Sequence, residues 1–333
     1  MSIQTMQDDA AAAAAKSKQH DQWVQFASGY SSVILETKTF MPQVHEKFVD
    51  ALVPLLGNKG SQQEGDSCGP GCEILDVASA SGEPALSLAA ALPHARVIAT
   101  DLAETYLPLG RARAESAGLT NVSFQVADGE NLVGFDSDTF DAVTCSLGLM
   151  FFPREEQGLK EFYRVLKPGG VIALTVWPGE ARVPMFLDTL EVAEEMNAKY
   201  FQSGQLKAGG AQDQSSSTPI PVVSAMRFGD GQSLKAMMSE AVGFKDVQLE
   251  EFGVTFGIPS TEDQPDRWWT ELLKTPMPLR GVMAEAAAAN NVEVPKVAKA
   301  TLQQRFERRG WLSPKGLRAP GNHCLFLIGR KPF

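Results

Sequence analysis

The chain predicts an α/β fold: a doubly wound, mostly parallel seven-stranded sheet, preceded by a helical segment and capped by helical insertions in its C-terminal half. Two observations carry this. From Glu73 onward, short apolar runs alternate with stretches of helical spacing, the pattern of parallel strands joined by crossover helices. The junctions are small-residue or glycine turns, Ala78-Ser79-Ala80-Ser81-Gly82 after the first run and Lys167-Pro168-Gly169-Gly170 before the fifth, which punctuate strand and helix.

In order along the chain, residues 1–20 read as a mobile N-terminal arm. Residues 21–72 read as a helical lid and linker. Trp23, Phe26, Ala27 and Tyr30 form one helical stripe, and Val44, Phe48, Leu52 and Leu55 form another. Pro42 suits a first helical position, where its missing N–H is not needed. Residues 57–71 are a Gly/Ser/Gln-rich linker. Residues 73–177 are the core. Strands are expected at Ile74–Ala78, Arg96–Thr100, Val122–Ala127, Phe140–Cys145 and Gly170–Val176, with helices at Pro84–Leu92, Tyr106–Ala117 and Glu155–Leu166. Residues 178–333 hold the remaining strands, at Lys245–Val254 and Cys324–Ile328, and the cap. The cap comprises a helix over Phe186–Tyr200, a low-complexity loop over 204–218, a helix at Ser233–Val242, and a helical insertion over about 260–320 in which Trp268 and Trp269 staple helices together.

Composition narrows the function. The net charge is −10 and the basic residues are scattered, so the surface repels phosphate backbones and anionic lipid. Nucleic acid is not the expected substrate, and no apolar run is long enough to span a bilayer. There is no signal-peptide core, because Ala10–Ala15 is a small-residue run preceded by Asp8 and Asp9. Of four cysteines, Cys68 and Cys72 share a C-x3-C spacing without a second pair. They read as free thiols in a Gly-rich loop rather than as a zinc site, and no metal is expected. A cytoplasmic, reducing location fits this.

Candidate site residues cluster at strand ends. Asp76, Ala78, Ser79 and Gly82 form a tight loop after the first strand, where a ligand can approach the backbone and a helix start can face an anion. Asp101, followed by Leu102, ends the second strand, where a carboxylate can accept both hydroxyls of a ribose. Asp128 and Gly129 end the third, where the acid can accept from an exocyclic amine and the backbone can read a ring nitrogen. Ser146 ends the fourth. Each acid alone also reads as a turn or cap residue, and Asp76 also reads as an organiser of loop amides. A nicotinamide-dependent oxidoreductase shares this layout but normally carries G-x-G-x-x-G, which Ala78-Ser79-Ala80-Ser81-Gly82 lacks.

The stretch from Leu75-Asp76-Val77 through Gly82-Glu83-Pro84-Ala85-Leu86, Asp101, Asp128, Phe151-Phe152-Pro153 and Glu161–Gly170 resembles class I, Rossmann-like methyltransferases of the ubiquinone/menaquinone-biosynthesis type. The resemblance covers about 73–177. It implies S-adenosylmethionine as cofactor and methyl transfer to a small-molecule S, N, O or C acceptor. It also implies that Phe26-Ala27-Ser28-Gly29-Tyr30 lies over the cofactor, with Tyr30 near its methionine part. A cofactor-binding protein without turnover stays open. The family usually carries glycine where this chain has Ala78 and Ala80, which narrows the space beside the methionine moiety.

Once the methyl group is activated on the cofactor, the protein mainly positions the acceptor, and a base is needed chiefly for a hydroxyl. The base is not identified by sequence. His45 and Glu36, both on the lid segment, are the candidates. Tyr30, Met150, Phe151 and Trp177 are expected as walls of the acceptor pocket, although Trp177 can equally be core. Oligomeric state is not legible.

Overall fold

The computed structural model describes residues 14, 16–17, 20–24, 27, 40–57, 71–201, 225–275 and 277–333. Eight strands among them form one sheet in the order β3-β2-β1-β4-β5-β8-β6, with a two-residue β7 (Leu312–Ser313) beside β8. Strands β1 (Glu73–Val77), β2 (Arg96–Asp101), β3 (Val122–Val126), β4 (Phe140–Ser146) and β5 (Leu166–Val176) are parallel. Strands β6 (Lys245–Pro259) and β8 (Gly316–Arg330) complete it antiparallel. The sheet is therefore the predicted mostly parallel one with one additional short strand.

The central strands are covered on both faces, which is why they read as continuous apolar runs rather than alternating ones. Ile74, Leu75 and Val77 of β1 are buried, as are Ala142, Val143 and Cys145 of β4 and Ile172, Ala173 and Leu174 of β5. The edges differ. β3 is five residues with exposed Ser123 and Gln125, and β6 carries Lys245, Glu250 and Glu251. Short or charged edges resist pairing with other chains.

Helices α1 (Met41–Leu56), α2 (Ala85–Ala91), α3 (Leu107–Ser116) and α4 (Glu155–Val165) flank the sheet. In α1 the buried positions Met41, Val44, His45, Phe48, Leu52 and Leu56 recur at three- and four-residue steps, so one stripe faces the core. Phe48 meets Phe326 of β8 edge-on, with centroids 5.5 Å apart. In α4 the stripe is Leu159, Phe162 and Val165. The Lys-Pro-Gly-Gly turn is drawn into β5 as an irregularity. The register jumps from Phe140↔Leu166 to Ala142↔Val171, and Gly169 takes φ +79°, a conformation that glycine tolerates.

Beyond β5 the chain forms α5 (Pro184–Tyr200), α6 (Gln232–Ala236) with a π-helical continuation over Met237–Val242, α7 (Arg267–Leu272), α8 (Pro278–Ala288) and α9 (Glu293–Arg308). The insertion expected as helix over about 260–320 is only partly so. β6 runs on to Pro259 and pairs with Gly316–Ala319 after a register shift at Val254/Phe256. Gly316, Pro320 and Gly321 masked this strand in the sequence. Trp268 packs edge-on against Trp269 and Phe306, at 5.9 and 5.8 Å, and so ties α7 to α9. Cys72 is disulfide-bonded, which overturns the reading of a free thiol there. Among the described residues, no helix is long and apolar enough to cross a membrane.

Candidate active site

The carboxyl ends of β1, β2, β3 and β4 open on one cavity of about 980 Å³, its open mouth included. Its wall contains Ala78, Ser79, Asp101, Leu102, Asp128, Gly129, Ser146 and Phe151. Crevices outside the strand ends, at the point where strand order reverses, are where such sheets bind ligands. Here that point lies between β1 and β4, flanked by β2.

The loop after β1 is drawn tight by its own backbone and by Asp101. Ser79 N–H donates to the Thr100 carbonyl at 2.8 Å, and Ala80 N–H donates to Asp101 Oδ2 at 2.8 Å. The other Asp101 oxygen accepts Ala103 N–H at 2.9 Å. Asp101 is thus held at the rim by amide donors on both oxygens. Burial pushes its pKa up to about 6, and the amides of Ala103, Ala80 and Leu102 oppose that rise.

Ala78 and Ala80 sit in the left-handed region at φ 57° and 46°, and Gly82 at φ +104°. A Cβ clashes with the following carbonyl in that conformation, at roughly 1–2 kcal/mol for an L-residue. Glycine relieves the clash but loses more chain entropy on folding. Ala80→Gly is therefore expected to leave stability unchanged or raise it by up to about 1 kcal/mol. A urea-unfolding midpoint that falls clearly on this substitution would remove the strain argument.

Asp76 lies beneath the loop and not on the cavity wall. It is completely buried, accepting from Thr144 Oγ1 at 2.6 Å and from Ala85 N–H at 3.3 Å, the latter at the start of α2. It ties β1 to β4 and to α2. Desolvation drives its pKa to about 7 despite these bonds.

Asp128 accepts Glu130 N–H on Oδ1 at 2.9 Å and Lys16 Nζ on Oδ2 at 2.7 Å. Lys16 also reaches the buried Glu130 at 2.5 Å. Lys16, Trp23, Glu83, Glu130 and Tyr106 all line the cavity, and sequence reasoning missed them. Trp23 meets Phe151 edge-on at 5.2 Å. Only Trp23 carried a signal, its place in a helical stripe. An isolated Lys in an alanine run and a Glu two residues past Asp128 carry none.

Gly129 is packed where no side chain fits. A Cβ there would stand 2.4 Å from Phe152 Cζ and 2.8 Å from Val77 Cγ1. Gly129→Ala is expected to cost about 1–3 kcal/mol of stability by overpacking, because the Phe152 ring, which lines the cavity, must move. Thermal unfolding reads this, and an unchanged midpoint would mean the ring yields freely.

His45 also lines the cavity. Its side chain is buried, with Nδ1 3.7 Å from Glu83 Oε2, and Nε2 has no hydrogen-bond partner among the described residues. Burial lowers its pKa to about 4. The charge of Arg113 adds to this and that of Glu83 opposes it.

Other candidates fall elsewhere. Gly82 and Met150 do not line the cavity, and Met150 is core. Trp177 stacks in an aromatic cluster with Phe40 and Phe256, at 5.1 and 5.9 Å, and is likewise absent from the wall. Tyr30 and Glu36 lie outside the described residues.

The family model described as the ubiE/COQ5 methyltransferase family matches residues 43–262. A ubiquinone/menaquinone biosynthesis C-methyltransferase of Geobacter sp. is 33% identical over 187 residues, 56% of this chain and 74% of that one. An uncharacterised protein of Mycobacterium tuberculosis is 40% identical over 122 residues, 37% of this chain and 43% of that one. A demethylmenaquinone methyltransferase of Clavibacter sepedonicus is 45% identical over 104 residues, 31% of this chain and 40% of that one. The chain thus spans less than half the length of the latter two relatives. The family match runs from the helix that carries His45, through every strand tip around the cavity, into the loop that follows β6, so the chain belongs to the ubiE/COQ5 methyltransferase family.

Proposed function

We propose that this chain transfers the methyl group of S-adenosylmethionine to a small-molecule nucleophile. The observation that supports it most is the convergence of Asp101 and Asp128, from the tips of neighbouring strands, on the cavity that also holds the Ala78–Ser81 loop. The residues present suit an adenosine. Asp101 keeps acceptor capacity for a ribose hydroxyl, and Asp128 can exchange its Lys16 partner for an amine on a purine. Leu102, Gly129 and Phe152 flank that end with apolar surface and bare backbone. Ala78, Ser146, Leu147 and Gly148 close the other end, where the sulfur would sit. When bound, S-adenosylmethionine supplies an electrophilic methyl group on a cationic sulfur.

In this reading, residues 73–177 hold the cofactor, 21–72 act as the lid with linker, and 178–333 supply the last strands and further helices, none of whose described residues lines the cavity. The acidic net charge and scattered basic residues favour a small molecule over nucleic acid as acceptor.

The test is calorimetry. S-adenosylmethionine and its demethylated product are expected to bind one site per chain, and NAD is not. Labelled-methyl transfer to a panel of phenols, amines and thiols then reads turnover. Binding of NAD in place of S-adenosylmethionine would sink the reading.

A further inference from the structure

We propose that Arg227 is a positioning residue for the cofactor, fixing the aromatic wall of the strand-tip cavity from the C-terminal half of the chain. The inference rests on the methyl-transfer reading above and adds to it a residue that stands off the ligand. Every described residue on the cavity wall lies between Lys16 and Pro153. Arg227 is not among them, yet it grips the turn that carries Phe151 and Phe152 into that wall.

The turn follows β4. Phe151 N–H donates to the Gly148 carbonyl at 2.9 Å and Phe152 N–H to the Leu149 carbonyl at 3.0 Å, which closes a single 3-10 turn over Leu149–Phe151. The carbonyls at the end of a helical turn lack donors from its own backbone. Pro153 follows at once and has no N–H to offer. Arg227 Nη2 supplies the donors, one N–H for each carbonyl. It bonds the Phe152 carbonyl at 2.7 Å and the Leu149 carbonyl at 3.1 Å. The guanidinium is held in turn. Nη2 stands 3.4 Å from Glu155 Oε2 at the start of α4, and Cζ lies 5.1 Å from the ring centre of Phe228. Met226 and Phe228, on either side in sequence, are buried, so the backbone that carries Arg227 is anchored in the core.

The place of the Phe152 ring matters because it is wedged. A Cβ on Gly129 would stand 2.4 Å from it and a Cβ on Gly158 would stand 2.6 Å from it. Its edge meets Phe162 of α4, with centroids 6.1 Å apart. Gly129 and Phe152 border the space assigned above to the purine. Hydrogen bonds from a cationic donor are the strong ones. With Arg227 in place, the turn is set before the ligand arrives, and binding does not bear the cost of ordering it. Without it, two carbonyls are left to water, the turn relaxes, and the ring that flanks the purine moves with it.

Calorimetry with S-adenosylhomocysteine tests this. Arg227→Gln is expected to weaken binding about tenfold. Arg227→Lys keeps the charge, but its shorter side chain reaches one carbonyl, and the expected loss is about threefold. Both losses are expected to run through Phe152. In a Phe152→Met background, an adaptable side chain fills the space without a ring to place, and either change at Arg227 is expected to cost less than about twofold more. A residue that only holds the fold together would lower the melting temperature in both backgrounds and leave the affinity of the folded protein alone. Should Arg227→Gln fail to fold, Arg227→Lys in the same two backgrounds decides. Unchanged affinity in the folded variants, or an equal loss with and without the Phe152 ring, overturns the role of Arg227 and leaves methyl transfer standing. Failure of S-adenosylhomocysteine to bind the native protein overturns both.

Discussion

Asp101→Ala is expected to weaken S-adenosylmethionine binding by roughly 10- to 150-fold, which corresponds to about 1.4–3 kcal/mol. Two losses add. The ribose would lose its acceptor, and the amides of Ala80 and Ala103 would lose theirs, at 2.8 and 2.9 Å. The second loss loosens a loop in which Ala78 and Ala80 already occupy left-handed conformations. Asp101→Asn separates the two. It keeps one oxygen as acceptor but turns an NH2 toward the amide that faced the other, so loop order suffers less than with alanine while ribose binding still falls. Calorimetry for affinity and thermal unfolding for the unliganded protein give the two readouts. A lower melting temperature with unchanged affinity for both variants would make Asp101 a loop staple and remove it from the binding site.

The second large effect is on stability as a function of pH, and it comes from Asp76. Burial raises its pKa from the ordinary 3.8 to about 7. Between those values the unfolded chain ionises this carboxylate while the folded one keeps it protonated, so the folded state binds more protons. Stability from this group is complete below about pH 4, declines as pH rises toward 7, and is flat above that. The difference corresponds to about 4 kcal/mol. Asp101, raised to about 6 for the same reason, acts in the same direction.

Asp76→Asn removes the larger contribution. Its amide oxygen still accepts from Thr144, and the 3.3 Å bond from Ala85 is the one given up. Asp76→Asn is therefore expected to be less stable than the native protein at pH 5 and as stable or more so at pH 8. Urea denaturation at the two pH values measures this. Parallel pH profiles for the two proteins would mean that Asp76 is ionised inside the fold.

What this sequence determined by itself was local and periodic. Strands β1 to β5 and helices α2 to α4 fall within a few residues of where the apolar pattern and turn chemistry place them, because the central strands, buried on both faces, need unbroken apolar runs, the edge strand β3 alternates, and the turns between need Gly, Pro or small polar residues. The same logic placed Asp101, Asp128 and Ser146 at strand ends, and those ends share one cavity because the sheet is parallel.

The tertiary structure decided what no spacing encodes. Lys16 comes to Asp128 from 112 residues away, and Glu83 comes to His45 from another element. Trp177 goes to an aromatic cluster with Phe40 and Phe256 instead of the cavity wall. Asp76 turns out to be an organiser under the loop, and Ala80 is held left-handed by a bond to Asp101. These outcomes depend on which side chains long-range packing brings together and how far it strips them of water. That is set by the whole fold at once and leaves no periodic trace along the chain.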